Sequence, residues 1–105
     1  MLRAYATMIE VLRRLRPAIA QIERHDRDLG NQLRRASASV ALNMAEASGS
    51  SGGTRTTRYR TALGSARETG ACLDVAMALG YVGEIDAGVV QRLDIVTGTL
   101  VRVIG

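Results

Sequence analysis

Apolar residues recur along this chain at alternating intervals of three and four. Between residues 2 and 24, Tyr5, Met8, Leu12, Leu15, Ile19 and Ile22 form one such stripe, which predicts a helix with a single buried face. Pro17 falls off the stripe, where it predicts an outward kink rather than a break. A second stripe, Leu29, Leu33, Ala36, Val40, Asn43 and Ala47, follows Asp26 and Asp28. Those carboxylates suit a helix N-terminus, so the second helix is expected from about Asp28 to Ala47. The run from Ser48 to Thr54 holds only serine, glycine and threonine and reads as a loop. A third helix then carries the heptad seam Tyr59, Leu63, Ala66, Gly70, Leu73, Met77 and Gly80. After a turn at Tyr81, Val82 and Gly83, a fourth carries Val89, Leu93, Val96, Leu100 and Val103. Strand-like alternation is absent. The pattern predicts an all-α fold, an antiparallel up-down-up-down four-helix bundle about 30 Å long, with residues 1–105 as one domain.

Small residues crowd the second and third helices. Ala36, Ser37, Ala38, Ser39, Ala41, Ala45 and Ala47 on one, and Gly64, Ser65, Ala66, Gly70 and Ala71 on the other, would let two backbones approach closely. With 3% aromatic residues the core is thin, which favours further burial by self-association. Leu42 sits off its stripe beside Ala38 and Ala45, so a lone protomer would leave that patch exposed; these three residues are the expected oligomer interface.

Composition then narrows the chemistry. All 14 basic residues are arginine and His25 is the single histidine. Phosphate-loop and Schiff-base lysines are thereby excluded, and so are histidine-rich metal sites within one chain. No metal, cofactor or catalytic residue is expected, and the reading is non-enzymatic. The lone cysteine, Cys72, cannot close an internal disulfide and reads as a small residue beside a helix core. No apolar run reaches the roughly 20 residues a bilayer requires. Arg13, Arg14 and Arg16 interrupt any signal-peptide core, so a cytoplasmic protein without a membrane partner is expected.

Charge gives the best functional lead. Residues 1–60 carry 11 Arg against 5 acids, whereas residues 61–105 carry 3 Arg against 5 acids. Arg13, Arg14, Arg16, Arg34, Arg35, Arg55, Arg58 and Arg60 are the candidate contacts to a nucleic-acid backbone, since guanidinium groups suit phosphates. Base-specific readout is not expected, because three tyrosines offer few stacking platforms. A solvated face, partly neutralised by neighbouring acids, is the alternative. Asn43 and Glu46 read as architecture: a buried amide bonded across the bundle, and a carboxylate latched to Arg58 or Arg60. His25, between Arg24 and Asp26, reads as a solvated or capping residue rather than part of a hydrolytic triad. Backbone N–H groups opening the third helix, with Arg55 and Arg58, leave an anion site open as a further possibility.

One set of residues carries a family resemblance: Gln32-Leu33-Arg34-Arg35-Ala36, Ser39-Val40, Asn43-Met44-Ala45-Glu46, Ala62-Leu63-Gly64-Ser65 with Glu68, and Leu79-Gly80-Tyr81. From about Leu2 to Ile104 the chain resembles the bacterial four-helix bundle family named after reading frames in intervening sequences of 23S ribosomal RNA genes. Ala47 stands where that family usually has glycine, and Ser50 where it often has arginine. The resemblance implies a four-helix protomer, a homopentameric ring, and kinship with accessory proteins of diversity-generating retroelements, which bind nucleic acid and a reverse transcriptase. Five copies of a +4 chain would carry +20, enough to attract RNA or DNA through its phosphates. The expected function is therefore a nucleic-acid-binding accessory of an enzyme such as a reverse transcriptase. The alternative is a protein-interaction scaffold whose arginines serve solubility and salt bridges.

Overall fold

The computed structural model describes residues 2–105 and contains four helices: α1 (Leu2–His25), α2 (Arg27–Ser48), α3 (Gly52–Ala78) and α4 (Ala87–Ile104). α1 runs unbroken through Pro17, which is exposed on the solvent side. On that exposed side the Arg13 carbonyl, which loses its N–H partner at Pro17, can be hydrated instead. Each helix packs against the next, and α4 closes against α1, giving the antiparallel bundle that the spacing predicts; its longest axis is 42 Å rather than the expected 30 Å, because the 27 residues of α3 alone span about 40 Å.

Asp26 alone separates α1 from α2. Its side chain accepts the Leu29 N–H at 3.0 Å and caps α2, which starts one residue earlier than expected. So tight a turn forces close approach beyond it. A Cβ on Gly30 would collide with Cγ of Glu23, which is why glycine is needed there. α3 begins at Gly52, inside the run expected to be loop, so the α2–α3 connection is only residues 49–51. Beyond the end of α3 at Ala78 the chain turns at Gly80, whose φ of +77° suits glycine, with Tyr81 N–H donating to the Ala76 carbonyl at 2.9 Å and Gly80 N–H to that of Met77 at 3.1 Å. Gly80 is thus a helix terminator, not a seam residue. α4 is capped by Asp86, which accepts the Gly88 N–H at 2.8 Å.

Long side chains from α1, α2 and α4 fill the core: Met8, Val11, Leu15, Ile22, Leu33, Val40, Met44, Val89, Val96 and Leu100 are fully buried. α3 departs from its expected seam. Tyr59, Ala66 and Leu73 of that seam are buried as expected, but Ala62, Thr69, Cys72 and Ala76 join them inside, while Met77 is 40% exposed. α3 lies close against α2, the most intimate pair in the bundle. Short side chains fill most of the inward positions of α3, with Tyr59 and Leu73 the large ones among them. Cys72 is one of these packing residues, and burial pushes its thiol pKa up, with Glu68 adding to the effect.

Candidate nucleic-acid interface

The arginines nominated for phosphate contact do not share one face. The basic stretch of sequence ends inside α3, so folding distributes its charge over three helices. Arg34 lies in the first half of α2 and Arg55 in the first turn of α3; the fourteen steps from Arg34 to Ser48 correspond to about 21 Å of helix.

Five of the eight are already engaged. Arg14 bridges Glu10 at 3.0 Å and, across to the α4 cap, Asp86 at 3.1 Å. Arg13 reaches Glu10 at 3.4 Å. The Glu10 carboxyl is held below its usual range by Arg14 first and Arg13 second, and the Arg14 guanidinium is raised by Glu10 and Asp86. Asp86 is lowered first by the Gly88 N–H and then by Arg14. Arg34 pairs with Glu23 of α1 and donates to Asn31. Arg55 donates to the Ser50 carbonyl at 2.9 Å, and Arg58 pairs with Glu46 at 3.0 Å. Arg16, Arg35 and Arg60 are exposed and, among the described residues, make no ion pair. Arg14 in particular is a clamp between α1 and α4, a partnership seventy-two residues apart that helical spacing could not disclose.

A polar ladder joins α2 to α3. Gln32 donates to Glu68 at 3.3 Å, Ser39 and Ser65 share a hydrogen bond of 2.8 Å, and Glu46 pairs with Arg58. Gln32, Ser39 and Glu46 are seven residues apart, so they occupy one edge of α2. Asn43 was expected to bond across the bundle, and it does not. It is half-buried, and its amide donates back to the carbonyl and hydroxyl of Ser39 on its own helix, so Ser39 makes the crossing. The Glu46–Arg58 latch is present but solvent-exposed at both ends rather than partly buried. Arg60, two residues on, faces elsewhere. Leu42 is 63% exposed, with Ala45 exposed and Ala38 half-buried beside it, so the protomer does leave that patch open.

His25 is exposed and stacks on Tyr81 at 5.1 Å between ring centroids, with planes 6° apart. The stack pins the α3–α4 loop to the end of α1, a contact missed in the sequence because the two rings are far apart along it. Among the described residues, no group of three His, Cys, Asp or Glu could hold a metal ion, and no helix is long and apolar enough to cross a membrane. Set against known protein families, residues 2–95 match the one described as 23S rRNA-intervening sequence protein. No curated protein and no solved structure matches the chain.

Proposed function

The chain belongs to the 23S rRNA-intervening sequence protein family, and from that premise we propose that it is a non-enzymatic, homo-oligomeric bundle that holds RNA or DNA by its phosphates. The carrying observation is the set of exposed guanidinium groups, Arg16, Arg35 and Arg60, that make no ion pair among the described residues, on a chain of net charge +4. Arg13, Arg34, Arg55 and Arg58 are exposed too, and their surface pairs are weak enough to be exchanged for phosphate. Arg14 is withdrawn from the contact set by its clamp on α4. A pentameric ring, as the family resemblance implies, would repeat these groups and multiply the attraction. The role that fits is accessory to a nucleic-acid enzyme such as a reverse transcriptase.

Filter binding of an RNA hairpin and a DNA duplex at two salt concentrations tests this. Affinity in the micromolar range or better, falling steeply with salt, is expected. Arg35→Ala should weaken both probes alike and lower the salt slope by about one unit, with melting unchanged. Absence of binding at low salt overturns the proposal. It would favour the second reading, a protein-interaction scaffold, which draws on the exposed Leu42 and on the arginines already neutralised by carboxylates. Sedimentation equilibrium tests assembly separately: a multiple of 11.2 kDa is expected, and Leu42→Glu should reduce it.

A further inference from the structure

Arg16 and Arg34, from different helices, open on the same hollow. It lies in the seam between α1 and α2, measures about 320 Å³, and is lined by Arg16, Ile19, Ala20, Glu23 and Arg34. The register of the seam explains the convergence. A Cβ on Gly30 would strike Cγ of Glu23, so those two residues are level, and in an antiparallel pair Arg34 is then level with Ile19. Arg16 is three residues from Ile19, about 4.5 Å along the axis, so the two guanidinium groups can close on one group between them. Buried Ile19 gives the hollow an apolar floor.

The two cations are held differently. Arg16 is exposed and, among the described residues, makes no ion pair. Arg34 donates to Asn31 at 2.9 Å and pairs with Glu23, which fixes the guanidinium in place and leaves it further N–H donors. Glu23 is the more covered of that pair, its side chain 33% exposed against 54%, because its Cγ lies over Gly30. The absent Cβ of Gly30 is what lets the carboxylate reach Arg34 across the seam.

We propose that this hollow seats one phosphodiester of a nucleic-acid strand between Arg16 and Arg34, and that Glu23 is a resident counter-charge against which the phosphate binds. Guanidinium groups match the phosphate oxygens with paired N–H donors, and the sugar beside the phosphate would lie on Ile19 and Ala20. Glu23 has two opposed effects: it orients Arg34, and its charge repels the incoming anion. The inference rests on the nucleic-acid reading above and assigns one contact within it. It also reverses the sign expected of a surface ion pair, since removing the acid should help the protein bind.

Filter binding of the RNA hairpin to Glu23→Gln tests this, because glutamine keeps an oxygen to orient Arg34 and removes the charge. Affinity should rise by about three- to fivefold, the worth of an exposed pair. Asp94→Asn makes the same change in net charge in the opposite, α3–α4 seam, beyond the ~8 Å screening length at physiological salt, and should raise affinity by less than about twofold. Arg16→Ala should weaken binding by about threefold or more and lower the salt slope by about one unit, with melting unchanged. A wild type that binds while Glu23→Gln and Asp94→Asn gain alike, or while Arg16→Ala binds equally well, would overturn the assigned hollow and leave the nucleic-acid reading standing. A wild type that does not bind at low salt would overturn both. If Glu23→Gln gains affinity for poly-glutamate but not for RNA, the hollow belongs to an acidic protein segment and the proposal fails.

Discussion

The two hairpins of this bundle solve the same packing problem differently. The α1–α2 hairpin buries Met8, Val11, Leu15, Ile22, Leu33, Val40 and Met44, and among the described residues Leu42 is its one large apolar side chain left largely in solvent. The α3–α4 hairpin turns Ala62, Ala66, Thr69, Cys72 and Ala76 inward and leaves Val75, Met77, Leu79, Val90, Ile95, Val101 and Val103 outside. Hydrophobicity does not explain the difference, because the exposed side chains of α3 are more apolar than some buried ones. Fit does. On α3, which lies close to α2, short side chains take most of the inward positions beside Tyr59 and Leu73, and Val75 and Met77 are left in solvent.

The largest effect should come from emptying the first hairpin's core. Leu33→Ala leaves a void under a fully buried side chain and should cost about 2–5 kcal/mol in denaturant unfolding. The same truncation at Leu79, which is 57% exposed, should stay within about 0.5 kcal/mol. Equal losses at the two sites would erase the contrast. Next comes overfilling. Ala66→Leu should push α2 and α3 apart and destabilise by about 1–3 kcal/mol, although it adds apolar surface; a neutral or stabilising result would show that the gap is not tight.

Smaller effects test the ion pairs that tie the hairpins together. Arg58→Ala should cost less than about 1 kcal/mol, because both partners of its bond to Glu46 are exposed. The α1–α4 clamp should be visible in acid. The Glu10 and Asp86 carboxyls have folded pKa values below their ordinary ones. Their stabilisation is therefore complete above the unfolded-state pKa and is lost as pH falls through the folded-state value. Asp86→Asn keeps an oxygen to cap Gly88 but removes the charge, so its melting temperature should fall less than the wild type's between neutral and acidic pH. Parallel pH profiles would remove Asp86 from the account.

Helix number, order and rough bounds were legible in the sequence because three-four spacing of large residues marks a buried face wherever long side chains do the packing. Leu15, Ile22, Leu33, Val96 and Leu100 are examples. The same rule misplaced the face of α3, since it weighted Leu63 and Met77 above Ala62, Thr69 and Ala76. It also missed Met44, buried one position from the polar Asn43. Glu46–Arg58 was foreseeable, with the candidate partner a choice of two, because helices of known direction bring the end of one beside the start of the next. Arg14–Asp86 and His25–Tyr81 were not, as each depends on which helix becomes the neighbour of α1. The dispersal of the arginines has the same origin: a charge run along the chain is divided when the chain reverses direction.

The single-residue turn at Asp26 sets a gradient of connection lengths, one residue, then residues 49–51, then residues 79–86. Closing a short loop sacrifices less chain freedom, and neighbouring segments find one another sooner than distant ones. α1 and α2 should therefore pair early, and α4, held by the longest tether, should dock last and release first, with the fastest amide exchange of the four helices. Asp86 caps α4, so its bridge to Arg14 of α1 closes only when that last helix is in place. The seam between the first and last helices would then be the last to seal and the first to open.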